Sequence, residues 1–180
     1  MLLRAVFLSL AVLTAAPASA QALRNHDANA PVDVDADRVE VQDRSDRAVF
    51  SGNVAVRQGG MRLNAQRLTV AYSGGVANGI EIDRLEAAGG VVVRSSSETA
   101  RGRFAIYDLN RRQITMLGGV SLEQGPNRLN GGRLVIDLDS GRATVDGSGA
   151  APASAGTQTP GAVQSSGGRV SGRFTVPKRD

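Results

Sequence analysis

The chain has 180 residues, of which 41% are hydrophobic and only 3% aromatic, with 22 glycines, no cysteine, no tryptophan and a formal charge of +4. Such a length suits one domain with a real core. The missing cysteines exclude disulfides and thiolate chemistry, and the scarce aromatics leave no stacking platform for nucleic acid. A Gly- and Val-rich, aromatic-poor composition points instead to short strands joined by tight turns and packed by aliphatic side chains.

Residues 1–20 read as a secretory signal peptide. Arg4 supplies the positive start, residues 5–16 form an apolar run, and Ala18-Ser19-Ala20 is a small-x-small cleavage site. A transmembrane helix needs about 20 apolar residues, so this run is short for spanning. Cleavage after Ala20 is therefore expected, followed by a flexible start at residues 21–31 that holds the sole histidine, His26. Residues 27–46 are acid-rich (Asp27, Asp33, Asp35, Asp37, Glu40, Asp43, Asp46), whereas the far end carries Arg169, Arg173, Lys178 and Arg179. For a basic exported chain, an anionic lipid or glycan is a better partner than nucleic acid. Ordinary solvated surface charge explains the same residues.

The middle of the chain is repetitive. An element with Arg before an apolar alternation reads DADRVEV at 35–41, NAQRLTV at 64–70, ARGRFAI at 100–106, NGGRLVI at 130–136 and VSGRFTV at 170–176. Its arginines are Arg38, Arg67, Arg103, Arg133 and Arg173. A second element, with Gly before x-Val, reads FSGNV at 50–54, AAGGV at 87–91 and MLGGV at 116–120, with a decayed VDGSG at 145–149. Gly52 to Arg67, Gly89 to Arg103 and Gly118 to Arg133 are fifteen, fourteen and fifteen residues apart. Alternation of period two makes both elements strands. Turn residues separate them at 58–60, 73–75, 78–79, 124–127 and 139–141. The repeated Gly is expected where a strand bends at the corner of a sandwich or solenoid. The repeated Arg reads as an outward residue pairing with neighbouring Asp, or as a contact to lipid phosphate. Residues 148–168 collapse into Ala, Gly, Ser, Thr, Pro and Gln, a flexible insert before an expected closing strand and basic tail at 169–180.

Catalytic chemistry finds no constellation here. One histidine and no cysteine cannot build a His/Cys metal cluster. The carboxylates are scattered without an isolated glycosidase-like pair. The serines have no partner histidine in a strand framework. No Gly-rich loop opens a helix to hold a nucleotide. The expectation is a binder that is not an enzyme and carries no cofactor or metal.

An acidic first strand at 34–41 (VDADRVEV), then AVFSGNV at 48–54 and LNAQRL at 63–68, closely resembles the OstA-like domain of the LptA family. The resemblance covers residues 32–147, and the final GRVSGRFTVPK also looks like that family's closing strand. It implies an all-β fold: an open, twisted antiparallel jellyroll built from repeated short strand pairs. It further implies a periplasmic protein that carries lipopolysaccharide between the membranes, with acyl chains in an apolar groove. Implied partners are LptC-like inner-membrane and LptD-like outer-membrane jellyrolls and further copies of the chain, joined head to tail, and no nucleic acid. The low-complexity insert and the aromatic-poor interior depart from the family's pattern. The alternating apolar positions give the candidate lipid-lining residues Val39, Val41, Phe50, Val54, Val56, Leu68, Val70, Val91, Val93, Phe104, Ile106, Met116, Val120, Leu134 and Ile136. Two other readings account for the repeats: a structural or adhesive β-solenoid scaffold without a lipid ligand, and an LptC-like member that keeps its membrane anchor.

Overall fold

The computed structural model describes residues 20–21, 23, 26–75, 79–147 and 171–173. The expected signal peptide up to residue 19, the insert at 148–168 and all of the expected closing segment except 171–173 lie outside the described residues.

Among the described residues eleven strands follow one another: β1 (Ala20–Gln21), β2 (Val32–Asp35), β3 (Arg38–Gln42), β4 (Arg47–Gln58), β5 (Met61–Gly75), β6 (Gly79–Arg94), β7 (Glu98–Asp108), β8 (Gln113–Gln124), β9 (Asn127–Asp137), β10 (Arg142–Asp146) and β11 (Ser171–Arg173). A 3-10 turn, Asp43–Ser45, links β3 to β4. All pairing is antiparallel, in the order β1-β10-β9-β8-β7-β6-β5-β4-β2, with β3 also on β4 and β11 also on β9. The first and last strands of this order do not pair, so the sheet is open. The expected turns at 59–60 and 125–126 join long strands into hairpins.

The central strands are long rather than short, and all five of β4 to β8 shift register at one shared level, with a further irregularity between β5 and β6 at Ala71/Tyr72. Register slips between Ser51 and Val54 in β4, Asn64 and Arg67 in β5, Ala88 and Val91 in β6, Arg101 and Phe104 in β7, and Leu117 and Val120 in β8. The slips fall at one level across the sheet. In β4, β6 and β8 the inserted residues are Gly52-Asn53, Gly89-Gly90 and Gly118-Gly119, all at positive φ. A Cβ on Gly89 would also stand 2.7 Å from the Cβ of Gln66 on the neighbouring strand. Glycine is therefore demanded twice, by backbone conformation and by close approach, and a bulge of this kind bends and twists the strand.

The bend divides the sheet into two layers. Layer one comprises β2, residues 54–58, 61–65, 91–94, 98–102, 120–124 and 127–131, and β11. Layer two comprises β3, residues 47–51, 67–72, 84–88, 104–108, 113–117 and 133–137, and β10 with β1. The layers fold over each other. Tyr107 Oη in layer two donates a 2.8 Å hydrogen bond to Gln58 Oε1 in layer one, although β4 and β7 are not sheet neighbours. Between the layers lies one aliphatic core, including Val54, Leu63, Leu68, Leu85, Ile114, Met116, Leu134 and Ile136.

The start of the chain differs from the flexible segment expected at 21–31. Ala20–Gln21 pairs with β10, and Leu23 is buried in the core. Gln58 Nε2 donates to the carbonyl oxygens of Ala28 (2.9 Å) and Ala30 (3.0 Å), and Arg112 Nη2 donates to Asn29 Oδ1 (3.0 Å). Gln58 ends a layer-one strand, whereas Arg112 belongs to the turn between layer-two strands. This strap therefore joins the free ends of the two layers. Sequence reasoning missed it because the anchors lie some thirty or more residues away, in segments read only as strand and turn.

Candidate functional site

The space between the layers is built by alternation. Residues directly opposite across antiparallel strands share a face. In layer two the inward rows are Val41–Ala48–Val70–Leu85–Tyr107–Ile114–Ile136–Ala143 and Val39–Phe50–Leu68–Ala87–Ala105–Met116–Leu134–Val145. In layer one Val56, Leu63, Val93, Ala100, Leu122 and Leu129 form the corresponding row. The space is thus walled by aliphatic side chains from both layers.

Thirteen of the fifteen candidate residues fall on this inward face. Val54, Val56, Leu68, Val70, Val91, Val93, Met116, Val120, Leu134 and Ile136 are buried, and Phe50 packs against them half-buried. Val39 and Val41, at 54% and 60% exposure, continue the same face onto β3, where nothing covers them among the described residues. Two candidates are misplaced. Phe104 and Ile106 point outward, opposite Ala88 with Leu117 and Glu86 with Thr115 respectively, and Phe104 is 40% exposed.

The physical reason is a one-residue slip in the third copy of the repeat. Gly52 packs on Asp37 and Gly89 on Gln66, each just before a repeat arginine, but Gly118 packs on Arg103 itself. Arg103 therefore takes the place of Asp37 and Gln66, and Phe104 the place of Arg38 and Arg67. A step of one residue reverses every side chain in a strand. The inward residues of β7 are consequently Ala105 and Tyr107, both 1% exposed, which the sequence reading missed. The odd spacing of fourteen was the one clue, since Gly89 to Phe104 restores fifteen.

Polar groups collect at the inner rim of layer one. Gln58 and Glu98 are buried, and Glu98 accepts hydrogen bonds from Ser95 Oγ and, at 3.2 Å, from Gln124 Nε2. Within the strap, His26 stands edge-on to Tyr107 at 6.5 Å, and its ring nitrogens are shielded without a well-formed hydrogen bond. Burial holds the His26 pKa below its ordinary 6.5, opposed by neighbouring Gln58 and by the charge of Asp27. Burial raises the Tyr107 phenol, partly offset by its hydrogen bond to Gln58 and by Arg112. Both effects favour neutral groups where the strap crosses the interior. The arrangement suits retention of apolar chains. Among the described residues no group of three or more His, Cys, Asp or Glu could hold a metal.

Comparison with known proteins gives concordant findings. Residues 33–142 match the family described as LptA/(LptD N-terminal domain) LPS transport protein. An uncharacterized protein of Rhizobium meliloti (strain 1021) is 33% identical over 124 residues, which is 66% of this chain and 67% of that protein. The crystal structure of LptH, the LptA-homologous periplasmic component of the lipopolysaccharide transport device of Pseudomonas aeruginosa, superposes with a TM-score of 0.65 at 19% identity. That match covers 83% of this chain and 99% of LptH. The bent, two-layered antiparallel sheet is thus the fold of LptH as well, and the chain belongs to the LptA/LptD N-terminal-domain family of lipopolysaccharide transport proteins.

Proposed function

We propose that this chain is a periplasmic bridge protein, released by cleavage of its signal peptide, that carries lipopolysaccharide with the acyl chains held between its two layers. The observation that carries the reading is the continuous inward aliphatic face running out to uncovered Val39 and Val41 at the β3 edge. A fully covered core would have no reason to expose two valines in line with it. Acyl chains gain about 0.8 kcal/mol per methylene on leaving water, so a few chains are retained without a covalent step. The described interior is packed against itself, so entry requires the layers to part and the strap at 26–31 to yield.

The open edges supply the joints. A second copy, or the jellyroll of an LptC-like or LptD-like partner, adds its strands to the β2/β3 edge or to the β1/β11 edge by backbone pairing. Acidic Asp33, Asp35, Asp37 and Glu40 mark the first edge, and the sequence around β11 is basic, which suits head-to-tail contact.

The test is native mass spectrometry of the protein purified from the periplasm of a lipopolysaccharide-producing host, with a reversible lock on the strap. A Cβ on Gly59 would stand 3.5 Å from the Cβ of Asp27, within disulfide range. Wild type and the reduced Asp27→Cys/Gly59→Cys variant are expected to carry lipid masses, whereas the oxidised variant takes up none. Wild type that stays lipid-free with added lipopolysaccharide would end the carrier reading. Uptake by the oxidised form would remove the strap from it.

A further inference from the structure

The outer face of layer one carries a feature that core formation does not explain. Arg57 on β4 lies directly opposite Arg62 on β5, and Arg62 lies directly opposite Arg94 on β6. Three side chains of one charge thus occupy consecutive cross-strand positions on an exposed face, with strands about 4.8 Å apart. Like charges placed this way oppose sheet formation, and a guanidinium cannot escape by losing its proton.

The neighbouring arginines are neutralised. Arg57 meets Asp35 at 2.6 Å, Arg101 meets Glu123 at 2.8 Å, and Arg128 also pairs with Glu123. Arg62 and Arg94 have no ion pair among the described residues. Their neighbours on the same face are Asn64, Val92, Thr99 and Arg101, so no carboxylate is adjacent. The row also has a position that matters. Arg57 precedes the turn at 59–60, where a Cβ on Gly59 would touch the strap residue Asp27, and Arg94 precedes the turn at 95–97. The uncompensated pair therefore sits on the lip of the layer, outside the rim whose inner side carries Gln58 and Glu98.

We propose that Arg62 and Arg94 form a phosphate-binding lip that grips the phosphorylated head of a glycolipid while its chains pass over the rim between the layers. Guanidinium forks match phosphate oxygens two at a time, and two forks one strand apart close on a single phosphate. The site deepens the carrier reading and rests on it for the source of the phosphate. A soluble phosphate compound presents the same chemistry.

The experiment measures binding of diphosphoryl lipid A, of the same lipid stripped of its phosphates, and of inorganic pyrophosphate. It uses wild type, Arg62→Gln/Arg94→Gln, and a control, Arg67→Gln/Arg133→Gln, which removes equal charge from the outer face of layer two. Wild type is expected to prefer the phosphorylated lipid. The lip variant should bind that lipid about tenfold or more weaker while holding the stripped lipid as before. It should also melt slightly higher than wild type without ligand, because the repulsion is gone. The control should keep the preference. An unchanged preference in the lip variant, or an equal loss in the control, overturns the proposal and leaves the carrier reading standing. If wild type binds neither lipid, the carrier reading fails and pyrophosphate decides. Stabilisation of wild type but not of the lip variant assigns the lip to a soluble phosphate, and no stabilisation refutes it.

Discussion

The two layers share one interior but not one exterior. Inward, both present largely aliphatic rows that meet in a single core. Outward, layer one sets Arg57, Arg62 and Arg94 side by side, whereas layer two surrounds an apolar centre of Ala88, Phe104, Ile106, Leu117 and Val135 with charges of both signs, among them Arg67, Arg84, Glu86, Asp108 and Arg133. Phe104 helps to line a shallow depression there with Arg67, Thr69 and Glu86. The interior is constrained to one chemistry by the need to exclude water. The exteriors are free to differ, and the row of like charges adjoins the rim and strap while the face of mixed charge lies beyond the bend.

The largest effects separate inside from outside. Leu134→Ala, at a fully buried position, should cost about 2–5 kcal/mol in denaturant unfolding, whereas its outward neighbour Val135→Ala should cost no more than about 1 kcal/mol. Equal losses would show that the outer face of layer two is also covered.

The bend comes next. Gly89→Ala meets both a positive φ and the Gln66 side chain and should cost about 2–4 kcal/mol. Gly90→Ala has the positive φ but open space, so about 1–2 kcal/mol is expected by the same measurement. A reversed order would mean that β5 and β6 do not approach each other at the bulge as described.

Smaller again is the strap. Gln58→Leu removes both donations to the strap and the acceptor of Tyr107, for a loss of about 1–3 kcal/mol. Its pH dependence has a definite sign. Because the folded His26 pKa lies below 6.5, the unfolded chain takes up the proton first. This contribution is complete above 6.5 and declines as pH falls from there to the lowered folded value. Thermal melts of wild type and His26→Phe should therefore diverge only on the acid side, where the variant keeps more of its stability. Parallel curves would place His26 outside the interior. Smallest of all, Phe104→Arg puts an arginine where Arg38, Arg67 and Arg133 stand in the other copies, and should change stability by no more than about 0.5 kcal/mol.

The layered, all-β architecture is legible because two-residue alternation and a repeated Gly recur several times along the chain. Each bulge needs a residue that accepts positive φ, so the repeated glycines by themselves mark where the strands bend. Most inward residues follow from the alternation: Leu68 and Leu134 can face only one way once their strands are recognised. Phe104 and Ile106 failed because alternation gives parity and not its origin, and the slip at Arg103 reset that origin. The strap and the arginine lip were invisible for a related reason. Gln58 reaches Ala28 and Ala30, and Arg62 faces Arg57 and Arg94, only when hairpin register and the folding of one layer over the other bring distant segments together. Sequence alone determined which residues prefer strands, where those strands must bend and that the interior is aliphatic, because these follow from local sterics and periodicity. Tertiary structure decided which face of β7 is inside, what closes the free ends of the layers and which charges stand side by side, because each depends on register between segments far apart in the chain.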